Sequence, residues 1–165
     1  MATLQNPSLF FTTSPRTPLK MLPEIKLLMD NFEGRKWDKE TQKRFAQLLA
    51  EDSHFNGEGS KKNMDFSARD RITRAPKSLG FVDLKPVIKL TEPGEQFLSG
   101  KRTEEILLRQ LLKFQLPSPF HKEPRNYTGL FGVKPYLEIF RLVYQLGTLS
   151  FDELMIIWNA ADTFW

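Results

Sequence analysis

The hydrophobic period of this chain switches at Gly80, and the switch dictates the order of elements on either side of it. Upstream, Ala68, Ile72, Ala75 and Leu79 recur at i, i+4, i+7 and i+11, a narrow helical stripe. Downstream, Phe81-Val82-Asp83-Leu84 and Val87-Ile88-Lys89-Leu90 read as two short strands joined by Lys85-Pro86. Ser67, with Asp70 three positions on, offers a capping-box variant for the upstream helix, and Pro76 predicts a kink or break inside it. Thr91 is placed to cap a further helix, with Pro93 early, Glu92 and Glu95 in its first turn and an end near Gly100. Helix, basic helix, tight hairpin, helix is the order of a winged helix-turn-helix. In that architecture the basic helix enters the major groove and the hairpin touches backbone or minor groove. The expected fold class is therefore mainly α (α+β): a winged helix-turn-helix, a linker, and the truncated start of a second helical or winged-helix module.

Periodicity and breakers divide the rest. Pro7, Pro15, Pro18 and Pro23 make residues 1–22 an extended arm, with Leu9, Phe10 and Phe11 as a short-strand candidate. A helix is expected from Pro23, with Ile25, Leu28, Met29 and Phe32 on one face and Gly34 as its stop. A second runs from Asp38, its N-cap, to Asp52, with Phe45, Leu48 and Leu49 inward beside Ala46. Residues 53–63, holding Gly57, Gly59 and Ser60, read as a loop. Thr103 is expected to cap a helix whose Ile106, Leu107, Gln110, Leu111 and Phe114 run towards Pro117. From Pro135 a helix carries Leu137, Phe140, Val143 and Tyr144 to Gly147, and Ser150 caps a last one with Leu154, Met155, Ile157 and Trp158. The resulting division is 1–34, arm and first helix; 35–114, winged helix; 115–134, irregular basic linker; 135–165, a second helical module cut short.

Several chemistries are excluded by what 165 residues here do not contain. With no cysteine there is no disulfide framework, thiolate metal site or thiol nucleophile, and His54 and His121 are too few for a multi-histidine centre. There is no P-loop and no glycine-rich dinucleotide motif. Glu24-Ile25-Lys26 has the spelling of half a nuclease metal site, but no acidic residue precedes it to complete the site. Asp152-Glu153 reads as a pair favoured by a helix start. No catalytic residue and no metal ligand is expected, nor a small-molecule substrate. No apolar run approaches about 18 residues, so no membrane partner is expected, and without a signal or transit segment the expected location is cytoplasmic.

Charge points to duplex DNA. The net charge is +4, yet residues 61–89 alone carry eight cations against three carboxylates, a local excess of five. On the basic helix, Arg69, Arg71 and Arg74 are the candidates for base-edge contact, because a guanidinium pairs bidentately with guanine. Ser67, Thr73, Lys77, Lys61 and Lys62 are the candidates for gripping phosphates and setting register. Arg16 in the arm and His121, Lys122 and Arg125 in the linker are further candidates. Asp70 alternatively pairs with Arg74 at i, i+4, which would remove Arg74 from readout.

Ser14-Pro15-Arg16, Asn31-Phe32-Glu33-Gly34, Phe66-Ser67-Ala68-Arg69-Asp70-Arg71, Gly80-Phe81-Val82 and Lys113-Phe114-Gln115-Leu116-Pro117 with His121-Lys122 occur in that order. As an ordered set, from about Phe10 to Trp158, they resemble the N-terminal part of AlwI-type type IIS restriction endonucleases and the related strand-nicking enzymes. The resemblance implies a recognition region of winged-helix subdomains reading a short asymmetric duplex site, in the service of a restriction-modification system. It also implies a separate Mg²⁺-dependent nuclease domain, which this chain is expected to lack. On that footing the chain holds no cofactor, does not cleave alone, and works with the rest of the endonuclease or a second subunit. Two other readings stay open: a stand-alone winged-helix transcription regulator on a palindromic site, and a protein-interaction module whose basic face is incidental.

Overall fold

A computed structural model describes residues 18–51, 71–73, 75–115 and 134–154. The chain separates into two units, Phe11–Gln110 and Met1–Phe10 with Leu111–Trp165. It is mainly helical, and among the described residues there is one small two-stranded sheet.

In the first unit a 3-10 turn, Pro18–Lys20, leads into α1 (Met21–Phe32). The helix begins two residues before the Pro23 start expected from sequence. Pro23 is tolerated there because the amides of a first turn have no intrahelical partner to lose. Met21, Ile25, Leu28 and Phe32 are fully or almost fully buried, as the 3.6 period requires. α2 (Lys39–Glu51) opens on the expected cap: the Thr41 amide donates to Asp38 Oδ1 at 2.9 Å. That bond holds the Asp38 carboxyl below its ordinary range. Phe45 joins the two helices, meeting Phe32 edge-on at 6.1 Å and Trp37 at 5.9 Å between ring centroids.

α3 is described at residues 71–73 and 75–78. Ile72, Ala75 and Leu79 are buried, so the expected stripe is the inward face; Ala68 lies outside the described residues. α3 includes Pro76, the site of the expected kink or break, within its helical residues 75–78. It ends by a Schellman motif, with the Gly80 amide donating to the Lys77 carbonyl and the Phe81 amide to the Pro76 carbonyl, each at 2.9 Å.

The hairpin is shorter than its sequence runs: β1 (Val82–Asp83) pairs antiparallel with β2 (Lys89–Leu90), Val82 opposite Leu90 and Asp83 opposite Lys89. Its edge is extended by the turn after α1. Glu33 at φ −54°, ψ 136° and Gly34 at φ +76° form a type II turn, closed by the Arg35 amide on the Phe32 carbonyl at 3.0 Å. The Gly34 amide donates to the Ile88 carbonyl, and the Ile88 amide donates to the Arg35 carbonyl, both at 2.8 Å. Two residues facing one, with a left-handed glycine first, is a G1 bulge. The α1–α2 junction is thereby bonded to the residue that precedes β2.

α4 (Glu92–Leu98) packs on α1 and on β2. Thr91 caps it as expected, accepting from the Gly94 amide at 3.1 Å, and Phe97 stacks on Phe81 at 4.4 Å. α5 (Thr103–Lys113) starts one residue off the expected register: the Arg102 carbonyl accepts the first helical amide, from Ile106, so Arg102 takes the cap position and Thr103 is already helical. α1 and the hairpin both fall in the unit Phe11–Gln110.

In the second unit Phe114 is buried and meets Tyr136 at 5.7 Å. α6 (Pro135–Leu146) ends at Gly147. The turn beginning at residue 151 has a complete capping box: Ser150 bonds to Glu153 through its amide and hydroxyl, and Glu153 returns its amide to Ser150 Oγ.

Candidate nucleic-acid interface

Of the twelve residues expected to touch DNA, three lie in the described structure, Arg71, Thr73 and Lys77, all on α3. Arg69, Arg74, Ser67, Lys61, Lys62, Arg16, His121, Lys122 and Arg125 lie outside it.

The three are not equivalent. Fully buried Ile72 fixes the inward side of α3, and Thr73 and Lys77 stand half-buried beyond it. Arg71 turns inward. Its Nη1 donates to Glu24 Oε1 of α1 at 2.8 Å, and its side chain keeps 29% of its surface exposed while that of Glu24 keeps none. Burial pushes the Glu24 carboxyl up from the ordinary glutamate range; the Arg71 hydrogen bond, the Arg71 charge and the Lys20 charge pull the other way and are outweighed. Among the described residues Glu24 Oε2 has no hydrogen-bond partner.

Lys77 occupies the last turn of α3, where cations are favoured by the helix dipole. Its ammonium is held below the usual lysine range, first by burial and then by the positive charge of Lys85. Lys85 is exposed in the hairpin loop, so the end of α3 and the hairpin present two mutually repelling cations. Lys89, on β2, lies 3.4 Å from Asp83 across the hairpin with 54% of its side chain exposed, a pair too wet to hold it firmly. The G1 bulge adds Arg35 and Lys36, both exposed, beside Ile88. Lys85, Lys89, Arg35 and Lys36 were not singled out by sequence. Their proximity depends on a bulge that joins residues more than fifty positions apart.

Glu24 was legible. It falls within the stripe Met21, Ile25, Leu28, Phe32, and a carboxylate on an apolar face calls for a buried cation. The half-motif Glu24-Ile25-Lys26 is not a metal site in this fold, because Glu24 faces Arg71 from the core and Lys26 is exposed. Asp152 is exposed, and Glu153 spends a carboxylate oxygen on its cap. Among the described residues no group of three or more His, Cys, Asp or Glu could hold a metal ion. None of the described helices is long and apolar enough to cross a membrane.

No protein-family model matches the chain. No curated protein matches it either.

Proposed function

We propose that this chain is a duplex-DNA recognition module of the winged-helix kind, serving as the sequence-reading part of a type IIS restriction or nicking endonuclease whose cleavage is carried by a separate Mg²⁺-dependent domain. The observation that supports it most is the bulge of Gly34 and Arg35 on Ile88. With it the chain runs helix, short edge segment, helix, basic helix and hairpin, and the edge segment bonds to the hairpin's return side, as a winged helix requires. Lys77 at the end of α3 and Lys85 of the hairpin are near enough for one charge to act on the other. Lys77, Lys85 and Lys89 grip phosphates, while Arg69 and Arg74, candidates from sequence that lie outside the described residues, read base edges. The AlwI-type resemblance gives the module its asymmetric site and its place in a restriction-modification system.

The test is binding of the chain to a labelled duplex across a salt series. A linear fall of log K with log salt is expected, and Lys85→Ala is expected to reduce the slope by about one and weaken all sequences alike. Binding indifferent to salt, or none, contradicts the proposal.

A second reading, the stand-alone regulator, is favoured by α6. Phe140, Val143 and Tyr144, at i, i+3 and i+4, are 55%, 37% and 85% exposed, a face suited to a dimer. It predicts a two-fold symmetric site and a dimer in sedimentation.

A further inference from the structure

Glu24 has no part in the DNA contacts above, yet it is the one fully buried carboxylate among the described residues. We propose that Glu24 is a positioning residue for DNA recognition: it holds the Arg71 guanidinium in the core and so fixes α3 on α1, leaving Arg71 a strut between helices and not a reader of bases. This rests on the duplex-recognition reading.

The geometry carries it. A guanidinium that reads guanine presents its planar fork to the groove. Arg71 instead directs Nη1 to within 2.8 Å of a carboxylate on another helix, 47 positions away in sequence. That carboxylate has no exposed surface, and its second oxygen has no partner among the described residues. Swinging Arg71 out to DNA would leave a charge in the core without its strongest compensation. That costs more than one base contact returns. Conversely, while the pair holds, α1 and α3 have one register, the role buried ion pairs are best attested to play.

The device is sensitive to acid. The charged groups acting on Glu24 are Arg71 of α3 and Lys20 of the preceding turn; α2 and α4, which also pack on α1, bring no described charge that shifts it. As pH falls towards the ordinary glutamate value of 4.5, the buried carboxylate takes up a proton before an exposed one does and loosens its hold on Arg71. Duplex affinity should therefore fall in that window for the wild-type chain. Glu24→Gln should be weaker by about tenfold at neutral pH and flat through the window.

The deciding experiment compares wild type, Arg71→Met, Glu24→Gln and the double variant Glu24→Met/Arg71→Met, using a random duplex pool and then its enriched motif. Arg71→Met is expected to weaken binding to matched and singly mismatched duplexes alike. The double variant, which removes both charges, is expected to recover to within about threefold of wild type with the same base preferences. Relaxation at a single base pair in either Arg71 variant overturns the strut assignment. So does a Glu24→Gln profile that keeps the wild-type acid dependence, or a double variant that stays as weak as Arg71→Met. Wild-type protein that retains no duplex at any salt overturns the DNA reading itself, an outcome visible before any variant is made.

Discussion

At Gly94 a Cβ would stand 2.0 Å from the Phe81 carbonyl oxygen and 3.1 Å from Leu90 Cδ2, so α4 lies directly against the backbone that enters β1. Because the nearest atom belongs to backbone, no rotamer change relieves the clash. Gly94→Ala is expected to cost about 1–3 kcal/mol or more, read as a lower urea midpoint with an unchanged slope. Gly34 differs: nothing lies within 4 Å of its Cβ position, and only its φ of +76° resists a side chain. Gly34→Ala should cost about 1–2 kcal/mol and weaken the bulge without crowding anything. Losing Arg71 leaves the fully buried Glu24 carboxylate without its partner, a loss of about 3–5 kcal/mol, whereas a bidentate base contact is worth about 1–3. The 29% exposure of Arg71 puts this pair at the lower end. Linkage gives the Glu24 effect a sign opposite to ordinary acid unfolding. Its folded pKa is raised above 4.5, so the cost of burying its charge applies at neutral pH and is relieved as pH falls. Wild type should therefore gain stability relative to Glu24→Gln on acidification while losing duplex affinity. The depressed carboxyl of Asp38 behaves conventionally, with its contribution present above 3.8 and lost as pH falls through the folded value.

Among the elements, those specified by neighbouring residues were legible. The periods of α1 and α2 gave their buried faces, Asp38 and Thr91 gave two starts, and Gly80 gave the end of α3. What sequence missed was specified by distant residues. Gly34 was read as a helix stop, which it is, but its partner Ile88 lies on another element and no local pattern announces a bulge. Glu24-Ile25-Lys26 spells half a metal site by its spacing, and only the apolar face shared with Met21, Ile25 and Leu28 tells that Glu24 is turned inward. Pro76, where a kink or break is expected in α3, lies within the helical residues 75–78 and is buried beside Ala75. Thr91 links three elements: its hydroxyl lies 2.6 Å from the Gly80 carbonyl and 3.0 Å from that of Phe81 while accepting from the Gly94 amide. Thr91→Val keeps the shape and loses these bonds. It is expected to cost about 1–2 kcal/mol in thermal unfolding, with Thr91→Ser retaining most of the stability.

Across the whole molecule, the two units have different characters. The first holds the continuous core from Met21 to Phe97 and presents Lys77, Lys85, Lys89, Arg35 and Lys36 at and around the hairpin. The second exposes the apolar side chains of α6. With a net charge of only +4, the proposed attraction for DNA depends on where the cations are held. The most direct measurement is selection and sequencing of a random duplex pool retained by the purified chain at low and moderate salt. Enrichment of one short asymmetric motif that survives moderate salt is expected. A palindromic motif would transfer the chain to the regulator reading, and no retention at either salt would contradict DNA recognition altogether.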